Sequence, residues 1–149
     1  MAHLAQLNIA KLLYPIEHPK IADFRNNIDK INTLGEQSKG FVWRYVENPR
    51  IATGNEPFAD PWIVVNLTVW ESIEDLKSFA FNSEHVEIFK ERAKWFEKPS
   101  SPHMVLWWIP EGKLPTLEEA EEKLELLEKN GDCPHAFTFK KTFEPELKS

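Results

Sequence analysis

The strand predicted at residues 62–70 constrains the fold more than any other stretch, because its two alternating sets of side chains differ in kind. One set is aliphatic, and the other mixes indoles and polar groups. The sets are Ile63, Val65, Leu67 and Val69, and Trp62, Val64, Asn66, Thr68 and Trp70. Successive side chains point to opposite faces, so this strand is expected to be covered on both sides. The aliphatic side suits helices. The mixed side suits a cavity, because an amide sheltered from water needs a hydrogen-bond partner.

Periodicity elsewhere predicts three more strands and several helices. The strands are predicted at residues 3–13, 41–46 and 103–109, and a polar loop at 48–61. The helices are predicted to begin near residues 20, 73 and 117, with a second helical piece at 83–98, and the tail at 136–143 could form a short strand. The order β-α-β-β-α-β is that of an α+β, ferredoxin-like fold with a four-stranded antiparallel sheet. We expect one domain over 1–149, with 113–149 as a C-terminal helix and tail extension.

Two helix starts carry capping signals. Ser72 precedes a helix with Asp75 three residues on, and Thr116 stands in the same relation to Glu119. Such side chains accept hydrogen bonds from the first backbone N–H groups of a helix.

The fold predicts a sheet face without a helical cover. Two helices cover one face of a ferredoxin-like sheet, and the other face would carry large aromatic residues such as Trp62 and Trp70. An exposed apolar face of this size usually marks an interface. We therefore expect a homodimer in which two sheets face each other.

Composition excludes several classes of partner. A net charge of −6 argues against nucleic acid and against an anionic membrane surface. No stretch is apolar and long enough to cross a bilayer, and the N-terminus does not read as a signal peptide. The single cysteine, Cys133, excludes an intrachain disulfide and a Cys-rich metal site. The four histidines outside the helix at 83–98 have no metal-ligand spacing. We expect a cytoplasmic protein that binds a small molecule.

Asn66 and Trp70 form the first candidate site, four residues apart on one strand face. The first predicted strand offers a similar face through Gln6 and Asn8. Either these amides hydrogen-bond one another and Thr68 as a structural network, or they bind a ligand.

The helical piece at 83–98 forms the second candidate site. His85, Phe89, Arg92 and Phe96 share one helical face, and Trp95 flanks them. A histidine can move a proton or bind a metal, and an arginine can hold a carboxylate or a phenolate. Alternatively, Arg92 pairs with an acidic residue such as Glu71 or Glu111, and His85 bonds the backbone near the helix start.

Residues 3–109 resemble the dimeric α/β-barrel superfamily, which includes antibiotic-biosynthesis-type monooxygenases. In its cofactor-independent, quinone-forming members, an Asn and a Trp four apart on a strand and an Arg on the next helix surround a phenolic substrate; Asn66, Trp70 and Arg92 match them. In its haem-degrading members, the site is an Asn on the first strand, a Trp and a helical His. Asn8, Trp70 and His85 match these, with an extra helical piece between Trp70 and His85.

The whole chain more closely resembles an uncharacterised bacterial family of about 150 residues. The resemblance lies in residues 3–8, 40–44, 65–72, 92–97 and 106–110. It implies the fold but no established activity.

These observations lead to three hypotheses. The first is a cofactor-independent, monooxygenase-like enzyme acting on an aromatic or quinone-like compound. Its catalytic residues would be Asn66, Trp70, His85 and Arg92, and its substrate-binding residues Asn8, Trp62, Phe89 and Trp95. The second is haem binding or degradation, with His85 as the axial ligand. The third is a non-catalytic module that binds a hydrophobic ligand or a partner.

Overall fold

The computed structural model describes residues 2–15, 17–45, 62–82, 86–87, 90, 92–98 and 102–145. Its strands are β1 (Ala2–Lys11), β2 (Phe41–Arg44), β3 (Ile63–Trp70) and β4 (Met104–Pro110). Its helices include α1 (Ala22–Glu36), α2 (Ile73–Ala80) and α3 (Leu117–Asn130), and Val86 and Glu87, within the helical piece predicted at 83–98, are also helical. Short 3-10 helices occupy Pro19–Ile21 and Arg92–Lys94. The predicted loop at 48–61 lies outside the described residues.

The four strands form one antiparallel sheet in the order β2-β3-β1-β4. This confirms the predicted α+β, ferredoxin-like fold. β1 lies in the centre, so its side chains meet those of both neighbours. Asn8, for example, is opposite Asn66 of β3 and opposite Met104 of β4.

One face of the sheet, the aliphatic face, packs against α3. Its buried side chains come from β1, β3 and β4, and they contact Ala120, Leu124 and Leu127 of α3. The sheet residues are Ala5, Leu7, Leu67, Val69, Val105, Trp107 and Ile109. α3 presents these three residues at helical spacing, and the predicted helix at the C-terminal end of the chain is confirmed.

The opposite face, the amide face, carries the mixed side chains. The register places Leu4, Gln6, Asn8, Ala10, Val64, Asn66, Thr68, Trp70, Met104, Leu106 and Trp108 on it. Ile73 and Leu76 of α2 and Phe137 of the tail pack against one end of this face.

The premise of the dimer prediction, an uncovered aromatic face, is therefore wrong at the Trp70 end of this face, whereas Trp62 is 38% exposed. Trp70 is only 1% exposed. Periodicity shows that a strand face needs a cover, but does not identify the helix that supplies it. Because α2 begins three residues after β3 ends, it returns directly over Trp70, and the aliphatic face receives the C-terminal helix. A homodimer itself stays a prediction.

The second end of the amide face is covered by the start of α1 and by residues 95–97. Trp95 packs against Leu12 and Ile21, and Phe24 of α1 lies against this cluster. The backbone here is extended, since the N–H of Leu13 donates to the carbonyl of Trp95 at 2.8 Å and that of Glu97 to Lys11 at 2.8 Å. The helix predicted to reach residue 98 is wrong at this end, because pairing with the end of β1 supplies other backbone partners.

Both predicted helix caps are confirmed. The Oγ atom of Ser72 accepts from the N–H of Asp75 at 3.1 Å, and Oγ1 of Thr116 accepts from the N–H of Glu119 at 3.1 Å. The Ser72 cap fixes where α2 starts, and thereby where its apolar residues meet Trp70.

The tail joins the edge of the sheet at one point. Leu106 and Phe137 exchange two backbone hydrogen bonds of 2.7 and 2.9 Å. The indole N–H of Trp108 donates to the carbonyl of Phe143 at 2.7 Å. The expected tail strand is thus a single bridge that covers the edge strand β4. None of the described helices is long and apolar enough to span a membrane.

Candidate functional site

A buried chain of hydrogen bonds crosses the amide face from β3 to β1. Nε1 of Trp70 donates to Oγ1 of Thr68 at 2.9 Å, and Oγ1 of Thr68 donates to Oε1 of Gln6 at 2.7 Å. Gln6 and Thr68 are each 6% exposed. Leaving such a group unpaired would cost about 1–3 kcal/mol, so the chain holds three side chains in fixed orientations. The bond between Gln6 and Thr68 is one part of the structural hydrogen-bond network that the sequence suggested.

Trp70 lies at the end of this chain, inside an aromatic cluster. Its ring stacks on that of Phe79, with centroids 5.3 Å apart, and meets that of Phe41 edge to face at 5.5 Å. A ligand can therefore reach the Trp70 ring only if a neighbour moves. In this structure, Trp70 forms an end wall of the amide face.

Asn8 and Asn66 form the centre of the amide face. They lie directly opposite each other on β1 and β3. Asn66 is exposed and Asn8 is partly buried. Within the described part of the chain, neither side chain makes a hydrogen bond. These two amides, called the amide pair below, therefore differ from Gln6 and Thr68, which bond each other one row away.

A second aromatic cluster lies on the other side of the amide pair. Trp95 is buried, and its ring lies 5.6 Å from that of Phe24. Val64 packs into the same cluster. It lies on the amide face of β3, two residues before Asn66. The amide pair thus lies between the Trp70 cluster and the Trp95 cluster.

Arg92 lies at the Trp95 end of the amide face, and its side chain is exposed. Its carbonyl accepts hydrogen bonds from the N–H groups of Trp95 and Phe96 at 3.0 and 2.9 Å, so the 3-10 turn ties Arg92 to the buried Trp95. Four residues of strand separate Asn66 from Trp70, which is roughly 13 Å. Asn66 and Trp70 share a face, therefore, while Arg92 belongs to the opposite end of it.

The remaining predicted site residues are placed only in part. Trp62 immediately precedes β3, is 38% exposed, and accepts a backbone hydrogen bond from Leu12 at 2.7 Å. His85 and Phe89 lie outside the described residues. The haem hypothesis depends on His85 and stays a prediction. Across the described ranges, no group of three His, Cys, Asp or Glu side chains could hold a metal ion.

The sequence patterns indicated neither the special position of Gln6 nor the ion pair of Arg44 with Glu36. Gln6 was grouped with Asn8, whereas only Gln6 joins the Thr68–Trp70 chain. Arg44 lies opposite Thr68, and its Nε donates to Oε1 of Glu36 at 2.6 Å. The register of β1 with β3 would have revealed the position of Gln6 opposite Thr68. The bond between Arg44 and Glu36 depends on where α1 ends relative to β2, which periodicity does not specify.

The described amide face offers neutral hydrogen-bond donors between aromatic walls. Its polar side chains on β1 and β3 are amides, a hydroxyl and an indole, and no carboxylate stands among them. Amide N–H groups can stabilise a carbonyl oxygen or negative charge that develops on it. Aromatic side chains pack favourably against a planar ring.

The fold is similar to several solved structures at low sequence identity. A conserved protein from Methanosarcina mazei Go1 is 15% identical, with a TM-score of 0.53, covering 73% of this chain and 92% of its own. SnoaB, a cofactor-independent oxygenase from Streptomyces nogalater, is 12% identical with a TM-score of 0.51, covering 77% and 99%. Rv0793 from Mycobacterium tuberculosis is 10% identical with a TM-score of 0.51, covering 76% and 99%. At these identities the likeness concerns the fold alone.

Sequence comparison gives a more direct relationship. None of the curated proteins compared with the chain is significantly similar to it. The model of one family, described as a domain of unknown function (DUF3291), matches residues 3–149. This match spans the sheet, helices α1, α2 and α3, and the tail. The chain therefore belongs to the DUF3291 family, and its fold is that of a group of structures which includes a cofactor-independent oxygenase.

Proposed function

We propose that this protein is a cofactor-independent, monooxygenase-like enzyme that acts on an aromatic or quinone-like compound at the amide face. The observation that carries the proposal is the amide pair. Asn8 and Asn66 oppose each other between two aromatic clusters and make no side-chain hydrogen bond within the described residues. Asn66 is exposed and thus accessible, and a few polar groups among aromatic side chains are typical of small-molecule sites. The shared fold with SnoaB adds support.

The proposed roles follow from the chemistry of each side chain. Asn66 and Asn8 donate N–H groups to a carbonyl oxygen or to oxygen-derived negative charge. Arg92 holds a phenolate by its positive charge, and His85 moves a proton. Trp62, Phe89 and Trp95 contact the ring, and Trp70 closes one end of the site. A ligand of this kind supplies the electrons itself: a ring CH2 group and O2 become C=O and H2O, so neither a metal nor an organic cofactor is needed for the balance.

The test uses anthrone, whose ring CH2 group lies opposite a carbonyl. Oxygen uptake is followed with an oxygen electrode, anthraquinone is measured by chromatography, and a protein-free sample corrects for autoxidation. Asn66→Ala is expected to lower turnover about a hundredfold, as removal of one oxyanion donor does. Asn26→Ala, on an exposed position of α1, is the matched control. No uptake by the unmodified protein, or equal turnover in Asn66→Ala, would overturn the proposal.

A further inference from the structure

The side chain of Gln6 is buried, yet within the described residues its amide NH2 group donates no hydrogen bond. Oε1 accepts from Thr68 at 2.7 Å, and the residue is 6% exposed. Within the described part of the chain, its Nε2 atom has no acceptor. Buried polar groups in proteins nearly always have partners. A buried donor without one therefore marks a place where an oxygen atom from outside the chain belongs.

The direction of the hydrogen-bond chain fixes the orientation of this amide. An indole N–H can only donate, and a hydroxyl has a single hydrogen. Because Thr68 accepts from Trp70 at 2.9 Å, its own hydrogen goes to Oε1 of Gln6. Trp70 and Thr68 together thus turn the carbonyl of the Gln6 amide towards β3. Nε2 of Gln6 remains as the donor at the end of this series of hydrogen bonds.

The neighbours of Gln6 indicate the kind of oxygen that suits it. Asn8 follows two residues later on the same face, roughly 7 Å along the strand, and Asn66 lies opposite Asn8. All three are neutral amides, and Trp70 stands opposite Leu4, one row beyond Gln6. A full anionic group such as a phosphate would favour charged donors. Neutral donors beside aromatic walls fit the carbonyl or delocalised phenolate oxygen of a ring compound.

We propose that Nε2 of Gln6 donates a hydrogen bond to the ring carbonyl or phenolate oxygen of the ligand, and that Thr68 and Trp70 act as positioning residues for it. The aromatic character of the ligand rests on the proposed function. The donor role of Gln6 rests on the buried amide itself.

The composition of the chain allows a direct test. Gln6 and Gln37 are its two glutamines, and Gln37 is exposed at the end of α1. Protein labelled with side-chain 15N-glutamine will therefore show two NH2 pairs by NMR. The probe is 1-tetralone, a ring ketone, and its control is tetralin, which has the same rings and no oxygen. We expect the Gln6 pair to shift saturably with 1-tetralone, whereas Gln37 does not move. An unchanged Gln6 pair up to the solubility limit of 1-tetralone, or an equal shift with tetralin, overturns the proposal.

Two variants separate donation from positioning. Gln6→Met keeps the chain length and removes the N–H groups, so affinity for 1-tetralone should fall about three- to tenfold, the value of one neutral hydrogen bond. Thr68→Val leaves the Gln6 amide in place without its orienting partner, and should weaken 1-tetralone binding and broaden or shift the Gln6 NH2 pair in the free protein. Gln37→Met should change neither. Unchanged affinity in Gln6→Met contradicts the inference.

The outcome is distinguishable from that of the oxygenase proposal. If Gln6 responds to 1-tetralone while anthrone and oxygen are not consumed, Gln6 is a ligand donor and the protein is a binding module. If anthrone is oxidised and Gln6 does not respond, the enzyme proposal stands and this inference fails.

Discussion

The two faces of the sheet are built from the same strands, yet they do different things. On the aliphatic face, buried side chains from β1, β3 and β4 meet the apolar stripe of α3. On the amide face, Gln6 and Thr68 are buried, and the amide pair lies between two aromatic clusters. Alternation along one strand therefore separates a purely apolar face from a face that combines a buried core cluster with polar side chains able to bind a ligand.

The amide face is itself divided by hydrogen bonding. Gln6, Thr68 and Trp70 bond one another under a full cover, whereas Asn8 and Asn66 make no such bond within the described residues. Buried polar groups need partners. The first set therefore contributes to structure as well as to the site, whereas the side chains of the amide pair take no part in this hydrogen bonding.

The largest expected effect concerns the cover of the amide face. Phe137 is fully buried against Leu4, Trp70 and Leu106 in the same cluster. Phe137→Ala should lower the free energy of unfolding by about 3–5 kcal/mol, since it removes a fully buried ring. Urea denaturation measures this. Phe81→Ala is the control, because Phe81 is largely exposed. A loss below about 1 kcal/mol in Phe137→Ala would mean that the tail does not close this face.

A similar or slightly smaller loss is expected on the aliphatic face. Leu67 is buried beneath α3 in β3. Leu67→Ala should cost about 2–5 kcal/mol, depending on how far α3 relaxes into the space. Leu114→Ala, at an exposed leucine, should cost less than about 0.5 kcal/mol. If Leu67→Ala were as mild as Leu114→Ala in urea denaturation, α3 would not be the cover of this face.

The fold could be predicted from local patterns because each pattern has a local cause. Alternation defined β3 to within one residue at its start, and Ser72 and Thr116 fixed two helix starts through their own side chains. The identity of the cover could not be predicted in this way. Nothing in the periodicity of α2 or α3 specifies which sheet face it meets, because both stripes are apolar.

The site could be predicted as a set of residue types and not as an arrangement. Asn66 and Trp70 were placed on one strand face, which the register confirms. Phe41 of β2 and Phe79 of α2 together enclose Trp70, and the pattern of β3 alone does not specify these neighbours. The helical pattern at 83–98 failed for Phe96, which bridges to Leu12, because backbone pairing with β1 competes with the helix. Tertiary hydrogen bonds decided both points.

A moderate effect is expected where the hydrogen-bond chain is cut. Thr68→Val keeps the shape of the side chain and leaves both the Trp70 N–H and Oε1 of Gln6 without a partner. The free energy of unfolding should fall by about 1–3 kcal/mol. Thr33→Val, on an exposed position of α1, is the matched control. A double-mutant cycle with Gln6→Met should give a coupling free energy of about 0.5 kcal/mol or more; additive losses would show that the bond contributes nothing to stability.

The smallest effect on stability is expected at Asn66. It is the most informative prediction, because Asn66 lies two residues from Thr68 on the same strand face. Asn66 is exposed and makes no side-chain hydrogen bond within the described residues, so Asn66→Ala should change the free energy of unfolding by less than about 0.5 kcal/mol. Asn8→Ala should behave similarly, and the two changes should add in the double variant, since no bond couples the side chains. A loss above about 1 kcal/mol, or clear coupling between the two, would place the amide pair in the same structural network as Gln6 and Thr68. If Asn66→Ala keeps its stability and loses turnover, the centre of the amide face binds a ligand. A side chain that does not stabilise the fold can affect activity only through its contacts with a ligand.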